Sequence, residues 1–219
     1  MTTQGQPPRF AAMTKPKLTY FDAPISRGEE CRLALVLAGV DFEDNRLTRD
    51  QWLALKPTTP FGGLPIFEVP GKPPVSQAIA ILAHIGRRYG LLPEDEWEAL
   101  RLESLLSAVE DIRYAIGRTF GIKDPKELEQ KRAELVEGPL KTWASFMEKQ
   151  IVGPFAGGER ISVADVRLFV LTRWLKGGVL DHVPPDVLSS FPKLETLHDS
   201  VKQHPKVVAW HARSEGASS

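Results

Sequence analysis

The stretch Pro60-Phe-Gly-Gly-Leu-Pro-Ile-Phe-Glu-Val69 joins a glycine-containing turn to a short apolar run. The run from Leu64 to Val69 is rich in residues that favour strands, and the preceding Gly-Gly and proline residues favour a loop. Pro65 therefore stands where a loop enters a strand. From these residues alone, it is either an ordinary loop-to-strand proline or part of a binding site, and both interpretations stay open.

The sequence before this stretch predicts a strand, a helix and a second strand. Residues 17–21 alternate in the manner of a strand, residues 29–38 form a helix that stops at Gly39, and residues 41–47 form the next strand. Two strands joined by a helix pair in parallel. A short helix is expected at residues 49–55.

The sequence after the stretch predicts an edge strand at Val75-Ser76 and a helix from Gln77 to Tyr89, ended by Gly90. Beyond Glu94 the patterns are helical, with no convincing strand. Helices are expected at residues 98–120, 125–150 and 162–175, with short ones after Pro184, Pro192 and Pro205.

Composition limits the function classes. The 28 Lys and Arg residues balance 28 Asp and Glu residues, so no basic excess suggests a nucleic-acid or membrane partner. The single cysteine, Cys31, excludes an internal disulfide and fits a reducing, cytoplasmic location. The five histidines show no spacing typical of a metal site, so no metal is expected.

Several segments together resemble the cytosolic glutathione transferases, closest in pattern to the sigma class. Residues 60–65 resemble the family's P-F-G-x-L/I-P segment, residues 17–21 its first strand, and residues 32–44 its first helix and second strand. Residues 77–91 resemble its third helix. Ser162-Val-Ala-Asp165 is similar to its S/T-x-x-D box, a helix N-cap with a carboxylate three residues on.

The resemblance implies a fold: an α/β thioredoxin-like N-terminal domain that binds glutathione, followed by an all-α C-terminal domain. The expected parts are a flexible tail at 1–14, the thioredoxin-like domain at 15–91, a linker at 92–95, the helical domain at 96–213 and a frayed tail at 214–219. It also implies a homodimer and a detoxifying transferase that joins glutathione, as co-substrate, to small hydrophobic electrophiles, without a permanently bound cofactor.

The resemblance implies Tyr20 as the catalytic residue, at the end of the first strand. Its hydroxyl would donate to the glutathione thiolate, which is the reactive form of the thiol. Ser26 is the alternative, because other classes use a serine near the start of the first helix and the intervening loop is one residue longer here. Cys31 is a weaker candidate, since its place inside the helix favours burial.

The resemblance also implies the remaining contacts. Lys56 meets the glycyl carboxylate, Trp52 supplies an indole or an apolar wall, and Gln77 holds the γ-glutamyl end. Pro65 is expected to be cis, which would present the Leu64 backbone to the tripeptide. The implied glutathione-binding residues are Trp52, Lys56, Gly63, Leu64, Pro65, Gln77, Ala78 and Asp111.

Two of these positions carry particular expectations. Ala78 replaces the family's serine, so one hydrogen bond to the γ-glutamyl carboxylate is lost. Asp111 matches an acid that reaches the γ-glutamyl ammonium across a dimer. The implied electrophile pocket contains Ala23, Pro24, Arg113, Tyr114 and Arg118, and Trp174 either joins it or packs in the core. Because Ala78 and the long loop depart from the family, a binding or scaffold protein with little turnover is the alternative function.

Overall fold

The computed structural model describes residues 15–216, and the tail predicted at residues 1–14 lies outside them. The first part of the described chain contains one four-stranded sheet, whose strands lie side by side in the order β2-β1-β3-β4. Strand β1 pairs in parallel with β2 and antiparallel with β3, which in turn pairs antiparallel with β4. The strands are β1 Lys17–Phe21, β2 Glu43–Leu47, β3 Ile66–Glu68 and β4 Val75–Ser76.

Three helices accompany the sheet: α1 Ser26–Ala38, α2 Arg49–Leu55 and α3 Ala78–Tyr89. Helix α1 starts three residues before the predicted Glu29 and ends at Gly39, whose positive φ of 71° suits glycine. Helix α1 contacts β1 and α3 in this part of the chain and α7 and α9 in the helical part. Its position between the two parts explains why it is buried on almost every side.

The second part of the described chain is helical, as the sequence predicts. Its helices are α4 Glu96–Gly117, α5 Pro125–Leu135, α6 Lys141–Gln150, α7 Val163–Lys176, α8 Pro192–Lys202 and α9 Pro205–Gly216. The structure thus has the predicted fold, a four-stranded mixed sheet with helices followed by an all-α part. None of the helices within residues 15–216 combines the length and apolarity needed to cross a bilayer.

Three local predictions differ from the structure. The helix predicted over residues 125–150 is interrupted by a π-helical segment, Val136–Leu140, because Pro139 has no N–H for the helical hydrogen-bond ladder. The segment after Pro184 forms successive turns instead of a helix. Helix α9 continues to Gly216, so the predicted frayed end at 214–219 does not begin at 214, and residues 217–219 lie outside the described chain.

The start of α7 is fixed by the predicted capping pair. The buried carboxylate of Asp165 accepts hydrogen bonds from the Ser162 N–H at 2.7 Å and the Ser162 hydroxyl at 2.6 Å. It also accepts from the Ala156 N–H at 2.6 Å, which ties the preceding loop to the helix. Burial raises the pKa of the Asp165 carboxyl to about 6, although these hydrogen bonds act to lower it.

Candidate functional site

One edge of the sheet gathers most of the residues that the sequence singles out. In the strand register, Tyr20 and Phe21 at the end of β1 lie opposite Arg46 and Leu47 at the end of β2. Because β3 runs antiparallel to β1 and β4, its beginning lies beside the end of both strands. Four segments therefore meet at this edge: those that leave β1, β2 and β4, and the one that enters β3.

Tyr20 is held at this edge by a close contact with α1. A Cβ added to Gly28 would overlap the Cδ1 and Cγ atoms of the Tyr20 ring and lie 2.7 Å from its Cε1. The ring also meets Phe21 edge-on, with centroids 5.5 Å apart. Tyr20 is 8% exposed, and its hydroxyl makes no hydrogen bond within the described part of the chain. The hydroxyl is therefore available to a ligand.

The loop after β1 is fixed by the buried guanidinium of Arg32. Arg32 donates to the carbonyl oxygens of Phe21 and Ala23, both at 2.9 Å, and pairs with Asp44 at 2.8 Å. These bonds turn the Ala23 carbonyl toward β2. The position of this loop therefore depends on a side chain of α1.

The segment after β2 supplies Trp52 and Lys56. Thr48 and Gln51 form a capping box at the start of α2, with the Gln51 side chain 2.8 Å from the Thr48 N–H. The Trp52 ring then meets the Phe21 ring edge-on at 6.2 Å, which connects α2 with the end of β1. Lys56 is exposed and forms no ion pair with described residues. Its Cε lies 3.8 Å from the position that a Cβ atom added to Gly62 would take.

The entry to β3 and the exit from β4 complete the edge. The Leu64–Pro65 peptide bond is cis, as predicted. Gln77 has φ 80°, a conformation that non-glycine residues adopt rarely and mostly at functional positions. Ala78, the first residue of α3, is 4% exposed. The Ser76 hydroxyl next to this turn is buried without a partner among the described residues.

A cleft of about 600 Å³ opens beside Tyr20, between α1 and the end of α4. The α1 side of the cleft is formed by Tyr20, Ile25, Ser26 and Arg27. The opposite side is formed mainly by Glu110, Arg113, Tyr114, Arg118, Phe120 and Trp174. The predicted pocket residues Arg113, Tyr114 and Arg118 thus lie together.

Two of the predicted pocket residues lie elsewhere. Ala23 and Pro24 do not line the cleft, and the Ala23 carbonyl is bonded to Arg32. Trp174 does line it and is half-buried, packing at 6.1 Å against Phe120. Its ring therefore belongs to the wall of the cleft as well as to the edge of the core.

Ser26, the alternative to Tyr20, faces the same cleft. Its backbone has φ 57°, and its hydroxyl oxygen accepts a hydrogen bond from Arg113 at 2.9 Å. The Ser26 O–H remains a donor, so both candidate hydroxyls are directed to the cleft region. Cys31 is fully buried and burial raises the pKa of its thiol, which opposes a reactive role.

An ionic network lies beside the cleft, and three of its members, Arg27, Glu110 and Arg113, line it. Glu30 on α1 is fully buried and accepts hydrogen bonds from Arg113 on α4 and from Arg167 on α7, the second at 2.9 Å. Glu110 on α4 accepts from Arg27 and Arg167. Burial alone would raise the pKa of Glu110, but its bonds with the two arginines hold the pKa below its usual range.

The sequence patterns did not identify most of this network. Arg167 is the one charged residue between Val166 and Val170, in an otherwise apolar run, and this was the available signal. Glu30 lies in a helix whose other charged residues gave no reason to expect burial. Asp111, by contrast, is exposed on α4, and its carboxylate pairs with nothing among the described residues.

Comparisons with known proteins agree with this architecture. A family model described as "Glutathione S-transferase, N-terminal domain" matches residues 16–87, and one described as "Glutathione S-transferase, C-terminal domain" matches residues 110–214. Glutathione S-transferase 1 of Ascaris suum is 33% identical over 91% of this chain and 97% of its own length.

Other relatives carry different class names. The class-mu 28 kDa glutathione S-transferase of Schistosoma japonicum is 32% identical over 69% of this chain and 76% of its own length. The solved structure of prostaglandin synthase D of Nilaparvata lugens superposes with a TM-score of 0.79 at 28% identity, covering 90% of this chain and 97% of that chain. These names span several classes, so the predicted sigma class is not specifically confirmed. With both domains matched and a relative aligned over nearly its full length, the chain belongs to the glutathione transferase family, enzymes that use glutathione as co-substrate.

Proposed function

We propose that this enzyme joins glutathione to small electrophiles by stabilising the glutathione thiolate with the Tyr20 hydroxyl. The observation that carries the proposal is the unengaged Tyr20 hydroxyl at the meeting point of the sheet edge and the cleft. A hydrogen bond to an ionised group contributes about 1.5–3 kcal/mol. Since one pKa unit corresponds to about 1.36 kcal/mol, such a bond lowers the pKa of the bound thiol by one to two units.

The contacts proposed for the tripeptide follow the order of the segments along the edge. The Leu64 backbone before the cis Pro65, next to Gly63, pairs with the peptide backbone of glutathione. Lys56 is an exposed cation without an ion pair to described residues, which suits the glycyl carboxylate. Trp52, whose ring contacts Phe21, forms the wall of the site between the Leu64 backbone and Lys56.

The γ-glutamyl end is proposed to lie at Gln77 and the start of α3. The positive φ of Gln77 turns the chain so that the first N–H groups of α3 are available to an anion, which a helix N-terminus favours. Ala78 offers no hydroxyl at this point, so glutathione binding is weaker than a serine would give. Replacing Ala78 with Ser is therefore expected to tighten glutathione binding.

The protein is proposed to form a homodimer with two-fold symmetry. In it, Asp111 binds the γ-glutamyl ammonium of the glutathione molecule that is bound to the partner subunit. Its exposure on α4 and lack of a partner among the described residues support this role. Asp111→Asn should then raise the KM for glutathione while leaving the KM for the electrophile unchanged. Sizing that shows a fully active monomer would contradict the shared site.

The electrophile is proposed to bind in the cleft beside Tyr20, where the rings of Tyr114, Phe120 and Trp174 supply apolar surface. This arrangement fits small, largely apolar molecules. The sigma-class pattern at Tyr20 and a cytoplasmic location are part of the same proposal.

The deciding experiment compares Tyr20→Phe with Ser26→Ala, using glutathione and 1-chloro-2,4-dinitrobenzene. Tyr20→Phe should reduce kcat/KM about 10- to 100-fold, the equivalent of a lost hydrogen bond to a charged group. It should also move the pH midpoint of kcat/KM upward by at least one unit. If Tyr20→Phe keeps full activity and Ser26→Ala abolishes it, Ser26 is the thiolate donor.

A further inference from the structure

The cleft has more positive than negative charge. Its network contains three arginines, Arg27, Arg113 and Arg167, but two carboxylates, Glu30 and Glu110. Each carboxylate is already bonded to two of these arginines. The network alone therefore has one more positive than negative charge, and its members Arg27, Glu110 and Arg113 line the cleft.

Arg118 adds a second positive charge at the rim. It is exposed, lines the cleft at the C-terminal end of α4, and forms no ion pair or hydrogen bond with described side chains. The partial negative charge of a helix C-terminus, equivalent to about half an elementary charge, offsets part of the excess. More than one positive charge remains.

Arg113 lines the cleft, but its guanidinium is committed to other side chains. It is 8% exposed, with one terminal nitrogen on Glu30 and the other on the Ser26 hydroxyl. Its Nε is buried without a partner among the described residues. Because both terminal nitrogens of Arg113 are engaged and Arg118 forms no such bond with described side chains, Arg118 is the arginine that can meet a ligand in the cleft.

The other wall of the cleft is aromatic. Phe120 and Trp174 pack together at 6.1 Å, and Tyr114 is 73% exposed beside them. The cleft thus places a cationic end next to a flat apolar surface. This combination complements a molecule with an anionic group on an apolar or aromatic body.

We propose that the electrophile selected by this cleft carries a carboxylate, bound at Arg118, with its apolar body along Phe120 and Trp174. The inference rests on the proposed function, since it places the reactive carbon near the thiolate at Tyr20. The chemistry needs no further reactant. In a substitution, the thiolate sulfur forms a bond to carbon, and the electron pair of the carbon–halogen bond leaves with the halide. In an addition to a double bond, the sulfur forms the same bond, and the carbanion that results takes up a proton from solvent.

A matched pair of electrophiles tests the proposal. 4-Chloro-3,5-dinitrobenzoate and its methyl ester share the reacting carbon and the chloride leaving group, and differ in one negative charge. For each, kcat/KM is divided by the rate constant of the uncatalysed reaction with glutathione, because the ester group activates the ring differently. In the unmodified enzyme, this normalised kcat/KM should be larger for the acid than for the ester, so the acid-to-ester ratio should exceed one.

Arg118 variants then assign the preference to the cleft. Arg118→Gln should lower the ratio about fivefold, the size expected of a partly exposed ion pair of about 1 kcal/mol. Arg118→Glu should bring it below one. Arg160→Gln removes another exposed arginine, one that does not line the cleft, and should leave the ratio unchanged.

Calorimetric binding of the two glutathione conjugates separates this inference from the proposed function. If neither electrophile reacts but the carboxylate conjugate binds more tightly, and Arg118→Glu removes the difference, the carboxylate site stands while the catalytic proposal fails. If both react but the ratio is one or less in the unmodified enzyme, the carboxylate site is wrong. An equal effect of Arg118→Gln and Arg160→Gln on the ratio overturns it as well.

Discussion

The ring of Tyr20 lies directly on Gly28, at a place where α1 has no room for any side chain. Gly28 is the third residue of α1, so the helix backbone itself forms the surface on which the ring rests. The orientation of the proposed thiolate donor is therefore set by the absence of a Cβ atom. The glycine at position 28 of α1 therefore determines where the Tyr20 ring lies at the end of β1.

Replacing Gly28 with alanine should impair both stability and catalysis. The new methyl group would force the Tyr20 ring or α1 to move, and such overpacking costs about 1–3 kcal/mol. We expect kcat/KM to fall about tenfold or more, together with a lower denaturation midpoint. Gly138→Ala is the control, because a Cβ there meets nothing within 4 Å. Wild-type activity in Gly28→Ala would mean that the ring position does not matter.

Replacing Arg32 with methionine should release the loop that follows Tyr20. The change removes the bonds to Phe21 and Ala23 and one of the two arginine partners of Asp44. We expect a cost of about 3 kcal/mol or more, because each hydrogen bond that involves a charged group contributes about 1.5–3 kcal/mol. Urea unfolding measures the stability, and hydrogen exchange at the Ala23 amide reports the loop. Asp44→Asn keeps the carbonyl bonds and should have a smaller effect on both. Equal exchange rates in Arg32→Met and the unmodified protein would contradict the role of Arg32.

Local sequence patterns report the sheet edge better than the ionic network beside the cleft, for a physical reason. Tyr20 and Pro65 lie in short contiguous patterns, an alternating strand and a proline at a strand entry, and the resemblance to a known family indicates their roles there. The pairing of Glu30 with Arg167 joins residues 137 positions apart, and no local pattern reports such a contact. Charged side chains are mostly exposed, so a sequence interpretation assigns them to the surface unless the surrounding residues are apolar.

Replacing Glu30 with glutamine should destabilise the enzyme strongly. Arg113 and Arg167 would lose the carboxylate that neutralises them in the interior, and breaking a buried pair in this way costs about 3–5 kcal/mol. Thermal and urea unfolding measure the loss. Glu137→Gln is the control, since its pair with Lys141 is exposed and should change stability by less than about 0.5 kcal/mol. Similar losses in both variants would show that the buried network does not stabilise the fold.

His198 should make the stability fall in mild acid. Its Nδ1 lies 2.8 Å from the Thr172 hydroxyl, which donates to the Phe169 carbonyl, so the neutral ring donates its Nδ1–H to Thr172. Burial lowers the pKa of His198 to about 4; nearby Lys176 and Lys202 lower it further, while Asp199 and Glu195 act in the opposite direction.

This pKa lies below the unfolded value of about 6.5, so the unfolded chain binds the proton more readily. The stabilisation is present above pH 6.5 and is lost as the pH falls toward 4, by on the order of 1–3 kcal/mol. Urea unfolding at several pH values should show a shallower slope in His198→Asn, whose amide can replace the donor to Thr172. His182→Asn changes an exposed histidine and should keep the full slope. Parallel curves for His198→Asn and the unmodified enzyme would mean that another group carries the acid sensitivity.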